Sequence, residues 1–266
     1  MIKAAYNFFL DIVNKRSVIL DLVKRDLQQQ YMGSYLGAVW LLLEPLFFIS
    51  VLYAVFTLGF RAGTTTDMPF SIYLVTGIVA WLHFTTNFNA NTAAISSYSF
   101  LVKKVDFRLS ILPIVKMLSS MVVHVFLLLV TISLAWYEGY APTIYTLQIV
   151  YYFFAMSALL LGLGWLTSST SIFVKDVSKL VSVIIQFGFW MTPIFWNISM
   201  IPERYRWIIE LNPMYYIVTG YRDSVVSHVP FWERSNTLYF WVFTLAFLYI
   251  GITVYRKLKP HFAEVV

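Results

Sequence analysis

Ser178, Ser182, Gln186, Trp190, Pro193 and Asn197 follow one another at intervals of three or four residues. On a helix this spacing places them on one face. A face of hydroxyl, amide and aromatic groups suits a sugar, whose C–H surfaces pack on aromatic rings while its hydroxyls seek hydrogen-bond partners. Weak contacts of this kind, repeated along a face, let a polymer slide instead of sticking. Ser and Gln also hold helices together, so helix packing explains the same pattern. Trp40 and Phe47 share a second helix face with Glu44 and Val51 and join the candidate pathway residues.

Other chemistry is sparse. Glu44, His83 and His124 lie within apolar runs, where titratable groups can couple transport to an ion. The plainer reading is a carboxylate bonded to a neighbouring helix and two satisfied packing histidines. No Gly-x-x-x-x-Gly-Lys-Ser/Thr run exists to cradle the phosphates of ATP. His83, His124, His228 and His261 show no metal-ligand spacing, and the absence of cysteine excludes disulfides and thiolate metal sites. Nothing resembles a nucleophile with its base. A glycosyl or acyl transferase would need acidic or histidine residues clustered at a membrane surface, and the sequence offers no such cluster. If the protein does work, the energy comes from an ion gradient or another subunit.

The elements that carry these residues are set by composition. Of 266 residues, 59% are hydrophobic and 12% charged, against roughly 45–50% and 25% in soluble domains. Lipid is therefore the solvent for most of the chain. A helical span needs about 20 mostly apolar residues, and six runs qualify: 36–58, 70–89, 114–136, 147–173, 180–196 and 238–255. Basic residues gather in alternate loops: Lys3, Lys15, Arg16, Lys24 and Arg25; Lys103, Lys104, Arg108 and Lys116; Lys175 and Lys179; Arg256, Lys257 and Lys259. The opposite loops hold Arg61, Arg204, Arg206, Arg222 and Arg234. The positive-inside rule then puts both termini in the cytoplasm, which an even number of spans satisfies. Basic residues confined to short loops between apolar runs argue against nucleic acid as a partner.

Residues 197–235 do not read as a span. Pro202 opens one short helix ending near Leu211. Asn212-Pro213 is a cap followed by proline at the first helical position of a second, which reaches about Val226. Their lengths, roughly 15 and 20 Å, predict an outer re-entrant hairpin near the exit of a pathway, or a loop lying on the headgroups. The N-terminal segment, with Ile12, Val13, Ile19, Leu20, Val23 and Leu27 among charges, predicts an amphipathic helix on the inner surface. The loop 100–108 mixes apolar anchors with Lys103, Lys104, Asp106 and Arg108. It suits a short helix offered to a partner, or a basic loop that only fixes topology. The expected fold is all-α and integral to the membrane, with six transmembrane helices in one domain over residues 1–266. It comprises an interfacial segment to 35, five spans over 36–196, the outer region 197–235, then span six and a tail over 236–266.

Several of these runs resemble a known family. Arg25-Asp26-Leu27, then Tyr31-Met32-Gly33-Ser34-Tyr35-Leu36-Gly37 with Trp40 and Pro45, are similar to the N-terminal signature of polysaccharide-export permeases. These are the type-2 membrane subunits of ATP-binding-cassette exporters for O-antigen, capsule and wall teichoic acid. Lys103-Lys104 to Pro113, Phe173-Val174-Lys175-Asp176, Met191-Thr192-Pro193-Ile194 and Asn212-Pro213-Met214 resemble later family segments, although Arg108 stands where a proline is frequent.

The resemblance implies a channel of two copies in the bacterial inner membrane, with two copies of a separate ATPase beneath that hold ATP and Mg. This chain itself would bind no cofactor or metal and would catalyse nothing. The cargo would be a glycan on a polyprenyl diphosphate lipid, with lipopolysaccharide O-antigen as the expected case. The residues assigned to ATPase coupling are Arg25, Asp26, Lys103, Lys104, Asp106 and Arg108. Lys103 and Lys104 also suit the lipid's diphosphate. Those assigned to an exit gate are Asn212, Pro213, Tyr215 and Tyr216. A related permease for drugs or another lipid, and an ion-coupled carrier, are the competing expectations.

Overall fold

The computed structural model describes residues 10, 13–60, 68–102 and 108–265. Among these, every regular element is helical. We number the longer helices α1 (Arg16–Tyr31), α2 (Trp40–Ala54), α3 (Phe70–Thr92), α4 (Leu112–Tyr137), α5 (Gln148–Ser171), α6 (Asp176–Met191), α7 (Glu203–Glu210), α8 (Pro213–Arg222) and α9 (Thr237–Leu258). Single turns extend α2 in both directions, giving a continuous helical stretch over Gly37–Gly59. Gly33 and Gly37, at φ of +83° and +55°, make the turn from α1 into it. These are backbone angles that side chains disfavour.

Among the described residues, four helical stretches are long and apolar enough to cross a membrane: Gly37–Gly59, Leu109–Tyr137, Ile144–Ser171 and Thr237–Val265. The helices expected as second and fifth spans form but differ in character. α3 has 23 residues, yet carries Thr76, His83, Asn87, Asn91 and Thr92, all buried. Helices pack against it on several sides, so lipid does not dictate its composition. α6 has 16 residues and ends at Met191. The chain turns extended at Thr192, and Pro193 after it cannot continue a helical ladder.

α3 is the hub. α4, α5, α6 and α8 pack around it, and its residues Leu74, Ile78 and Ala80 are fully buried. α9 lies along α5. There a Cβ on Gly251 would stand 2.2 Å from the Gly162 carbonyl oxygen, and one on Gly162 would stand 2.7 Å from the Leu248 nitrogen. Small residues let two backbones meet at this range.

α1 follows the amphipathic expectation with a narrower inward stripe. Ile19 is buried. Leu22 and Val23 pack beside it against Ile111 and Val115, at the start of the α4 stretch. Asp26 closes the stripe seven residues after Ile19 and is also buried. Leu20, expected on the apolar face, is exposed. Ile12 lies outside the described residues, as do Lys3, Arg61, Lys103, Lys104 and Asp106.

Candidate functional site

The polar face of α6 forms as the spacing requires. Ser178, Ser182, Gln186 and Trp190 are all exposed, and Trp190 is 62% exposed. Ser182 donates its hydroxyl to the Ser178 carbonyl at 3.1 Å. The helix is held from its other side. Val181 is its one buried residue, and the Trp81 ring of α3 lies so close to Gly188 that a Cβ there would meet it at 2.8 Å. Phe189 packs at a tilt on the same indole, with centroids 6.1 Å apart.

Pro193 and Asn197 leave this face. Pro193 is buried beyond the helix end. The Asn197 side chain instead caps a 3-10 turn by accepting from the Ser199 nitrogen at 2.9 Å. The stripe therefore stops at Trp190. Trp40 and Phe47 of α2 are exposed as well, 45% and 61%, and Ile49 is the only buried residue of that helix. α2 and α6 thus show most of their surface outside the chain.

At the far end of α6, side chains tie the chain break to the short helices. The Asn212 side chain caps α8 by accepting from the Met214 nitrogen at 3.0 Å and donates to the Thr192 hydroxyl at 2.8 Å. Pro213 occupies the first helical position as expected. Tyr216, expected at an exit gate, is buried. Its ring stacks on Phe240 at 4.7 Å, and its hydroxyl meets those of Tyr151 at 3.0 Å and Thr237 at 3.2 Å. It anchors α8 to α5 and α9. Tyr215 faces an adjoining cavity.

Arg222 is the residue that sequence reasoning passes over, counting it only among the outer arginines. It is buried at the end of α8. Its Nη2 donates to the carbonyls of Pro193 at 2.7 Å, Ile194 at 3.0 Å and Tyr73 at 3.2 Å. Its guanidinium lies 3.5 Å from the Tyr73 ring centroid. The carbonyls of the segment that leaves α6 thus find their donor in α8. Asp223, the next residue, is held on both carboxylate oxygens by Arg234. Burial pushes the Asp223 carboxyl up, against the opposing pull of Arg234 and then Arg222. The signal in the sequence is an adjacent Arg-Asp pair at the end of a largely apolar helix.

Glu44, His83 and His124, which occupy three separate runs, come together. All three line one cavity of about 400 Å³ between α2, α3 and α4. The two imidazoles stack at 4.1 Å, and a His124 ring nitrogen meets the Tyr221 hydroxyl at 3.0 Å. Separation along the chain hides this grouping.

At the opposite end, Asp26 faces inward. Lys116 of α4 donates to its carboxylate in a buried ion pair, and Tyr98 adds a hydrogen bond at 3.3 Å. Burial first, and then the Asp26 charge, push the Tyr98 phenol up to about 12, so it remains a donor at neutral pH. Arg25 beside it is exposed, with its guanidinium 5.3 Å from the Phe100 ring centroid. Asp26 therefore secures α1 to α4, while Arg25 and Arg108 are the described coupling candidates that reach the surface.

Known proteins are similar to this chain over almost its whole length. It is 28% identical over 263 residues to an O-antigen export system permease protein of Klebsiella pneumoniae, covering 93% of this chain and 94% of that protein. It is 24% identical over 257 residues to an O-antigen export system permease protein of Myxococcus xanthus, covering 96% and 97%. It is 22% identical over 240 residues to a polysialic acid transport protein of Escherichia coli, covering 87% and 90%. The model of the ABC-2 type transporter family matches residues 18–226, from the inward stripe of α1 to just past the Arg222–Asp223 pair. The chain is a multi-pass membrane protein and belongs to the ABC-2 type transporter family.

Proposed function

We propose that this chain is the channel-forming permease of an ATP-driven exporter that moves lipid-linked polysaccharide, in the first instance lipopolysaccharide O-antigen, from cytoplasm to periplasm. The observation that carries the reading is the similarity, along nearly the whole chain, to proteins named for export of O-antigen and for transport of polysialic acid. The exposed hydroxyl, amide and indole face of α6 is chemically suited to that cargo.

In this reading six helices cross the bacterial inner membrane, α3 and α6 completing the four apolar ones, and both termini are cytoplasmic. α7 and α8 form the outer re-entrant hairpin. A second copy covers α2 and α6 in part, and their remaining polar groups face a shared channel. A separate ATPase, in two copies with ATP and Mg, docks near Arg25 and the loop that includes Lys103, Lys104, Asp106 and Arg108. ATP hydrolysis resides there, and this chain supplies the path. Polyprenyl diphosphate anchors the glycan at the inner end, where the loop lysines meet its phosphates.

Co-purification tests the assembly. The chain and its cognate ATPase are predicted to elute together with two copies of each, and ATP turnover is predicted to rise on adding lipid-linked glycan. Stimulation by apolar drugs and not by the glycan would move the chain to the drug-export branch of the family.

A further inference from the structure

A cavity of about 700 Å³ opens between the start of α3, the segment that leaves α6 and the end of α8. Its volume falls within the roughly 300–1,000 Å³ of small-ligand sites. Tyr73, Asn197, Ser199, Tyr215, Arg222 and Arg234 are among its lining residues.

Two features of the lining define a ligand. The first is charge. Asp223 also borders the cavity, but it is engaged on both oxygens by Arg234; Arg222 feels the Asp223 charge without making an ion pair to any carboxylate among the described residues. The Nε and Nη2 of Arg222 are occupied by backbone carbonyls. Its Nη1 has no protein partner among the described residues, and Arg222 borders the cavity. A guanidinium held in place by carbonyls through two nitrogens leaves the third for an anion, which it binds with directional bonds. The second feature is the surrounding set of phenol, hydroxyl and amide groups, which suits the hydroxyls of a sugar and not a bare inorganic ion or an acyl chain.

We propose that this cavity binds a short saccharide segment bearing a single acidic group, with the acid at Arg222 and ring hydroxyls at Asn197, Ser199 and Tyr215. This rests on the polysaccharide-export reading, and adds to it a docking point beyond the end of α6. An emerging chain engaged there is hindered from sliding back.

The full chain, purified with its ATPase in lipid nanodiscs, is titrated with three probes: cellobiouronic acid, neutral cellobiose and inorganic phosphate. Binding is read by saturation-transfer nuclear magnetic resonance. The acidic disaccharide is expected to bind roughly tenfold tighter than the other two, the worth of one charge-assisted hydrogen bond. Arg222→Gln is expected to reduce it to the level of cellobiose. Because Arg222 also ties the fold together, a second variant is needed. Ser199→Trp, at an exposed position on the rim, is expected to abolish disaccharide binding with the melting temperature unchanged.

Equal binding of the two disaccharides, phosphate binding as tightly as the uronate, or binding indifferent to Ser199→Trp would each overturn the proposal. Surface glycan in cells carrying the wild-type chain is scored separately, against cells lacking it. Glycan that depends on the chain, with no probe bound, removes the outer site alone. Glycan that reaches the surface equally without the chain removes the export reading and the site with it.

Discussion

At the residue scale, the charged side chains divide into those that hold helices and those that are free to act. Asp26 belongs to the first group. Removing one partner of a buried ion pair leaves the other charge stranded, at a cost of roughly 3–5 kcal/mol, and Asp26 and Lys116 are such a pair. Asp26→Asn is therefore predicted to lower the melting temperature in detergent, while Asp26→Leu combined with Lys116→Met recovers much of the loss. A double variant no more stable than the single one would mean that the pair does not hold α1 to α4. Glu44 belongs to the second group: it is exposed and borders the histidine cavity. If ATP on a partner drives transport, Glu44→Gln is predicted to export glycan at close to the wild-type rate. A loss of more than about tenfold, equivalent to roughly 1.4 kcal/mol, would argue for ion coupling through this carboxylate. Neither placement is legible in the sequence, where Asp26 looks like a surface charge in a signature motif. Its position seven residues after Ile19 puts it on the inward stripe, but only the three-dimensional placement of Lys116 reveals the partner.

At the element scale, two helix faces carry opposite predictions. The α5–α9 crossing has no room for a methyl group, with 2.2 Å between a Gly251 Cβ and the Gly162 oxygen. Overpacking of this kind costs roughly 1–3 kcal/mol, so Gly251→Ala is predicted to lower the melting temperature and export together. The α6 face leaves its polar side chains exposed. Gln186→Leu with Ser182→Ala is predicted to reduce export several-fold with an unchanged melting temperature; a parallel fall in stability would mark the face as helix packing. Periodicity serves this helix well from Ser178 to Trp190, because the backbone there is regular. It fails at Pro193 and Asn197, because the 3.6-residue repeat lapses where the helix ends. The Asn212-Pro213 start is legible because capping is local chemistry: one side chain, one nitrogen, two residues apart. The Arg222 anchor is not, since its acceptors lie 28, 29 and 149 residues away.

At the scale of the whole molecule, composition alone points to a helical membrane protein, and loop charge predicts which way it faces. The polar content of α3 makes sense only in the assembled bundle, where neighbouring helices and not lipid surround it. α2 and α6 remain the least covered long helices, and the proposed assembly, a second copy with a glycan between, would give their aromatic and polar faces a partner.

The most direct measurement deletes this gene in the source bacterium, separates the envelope fractions and locates the lipid-linked glycan. The account predicts glycan accumulating on the cytoplasmic side with a bare cell surface, both reversed when the wild-type gene is restored. Surface glycan unchanged by the deletion, in a strain with no second exporter for it, would contradict the account.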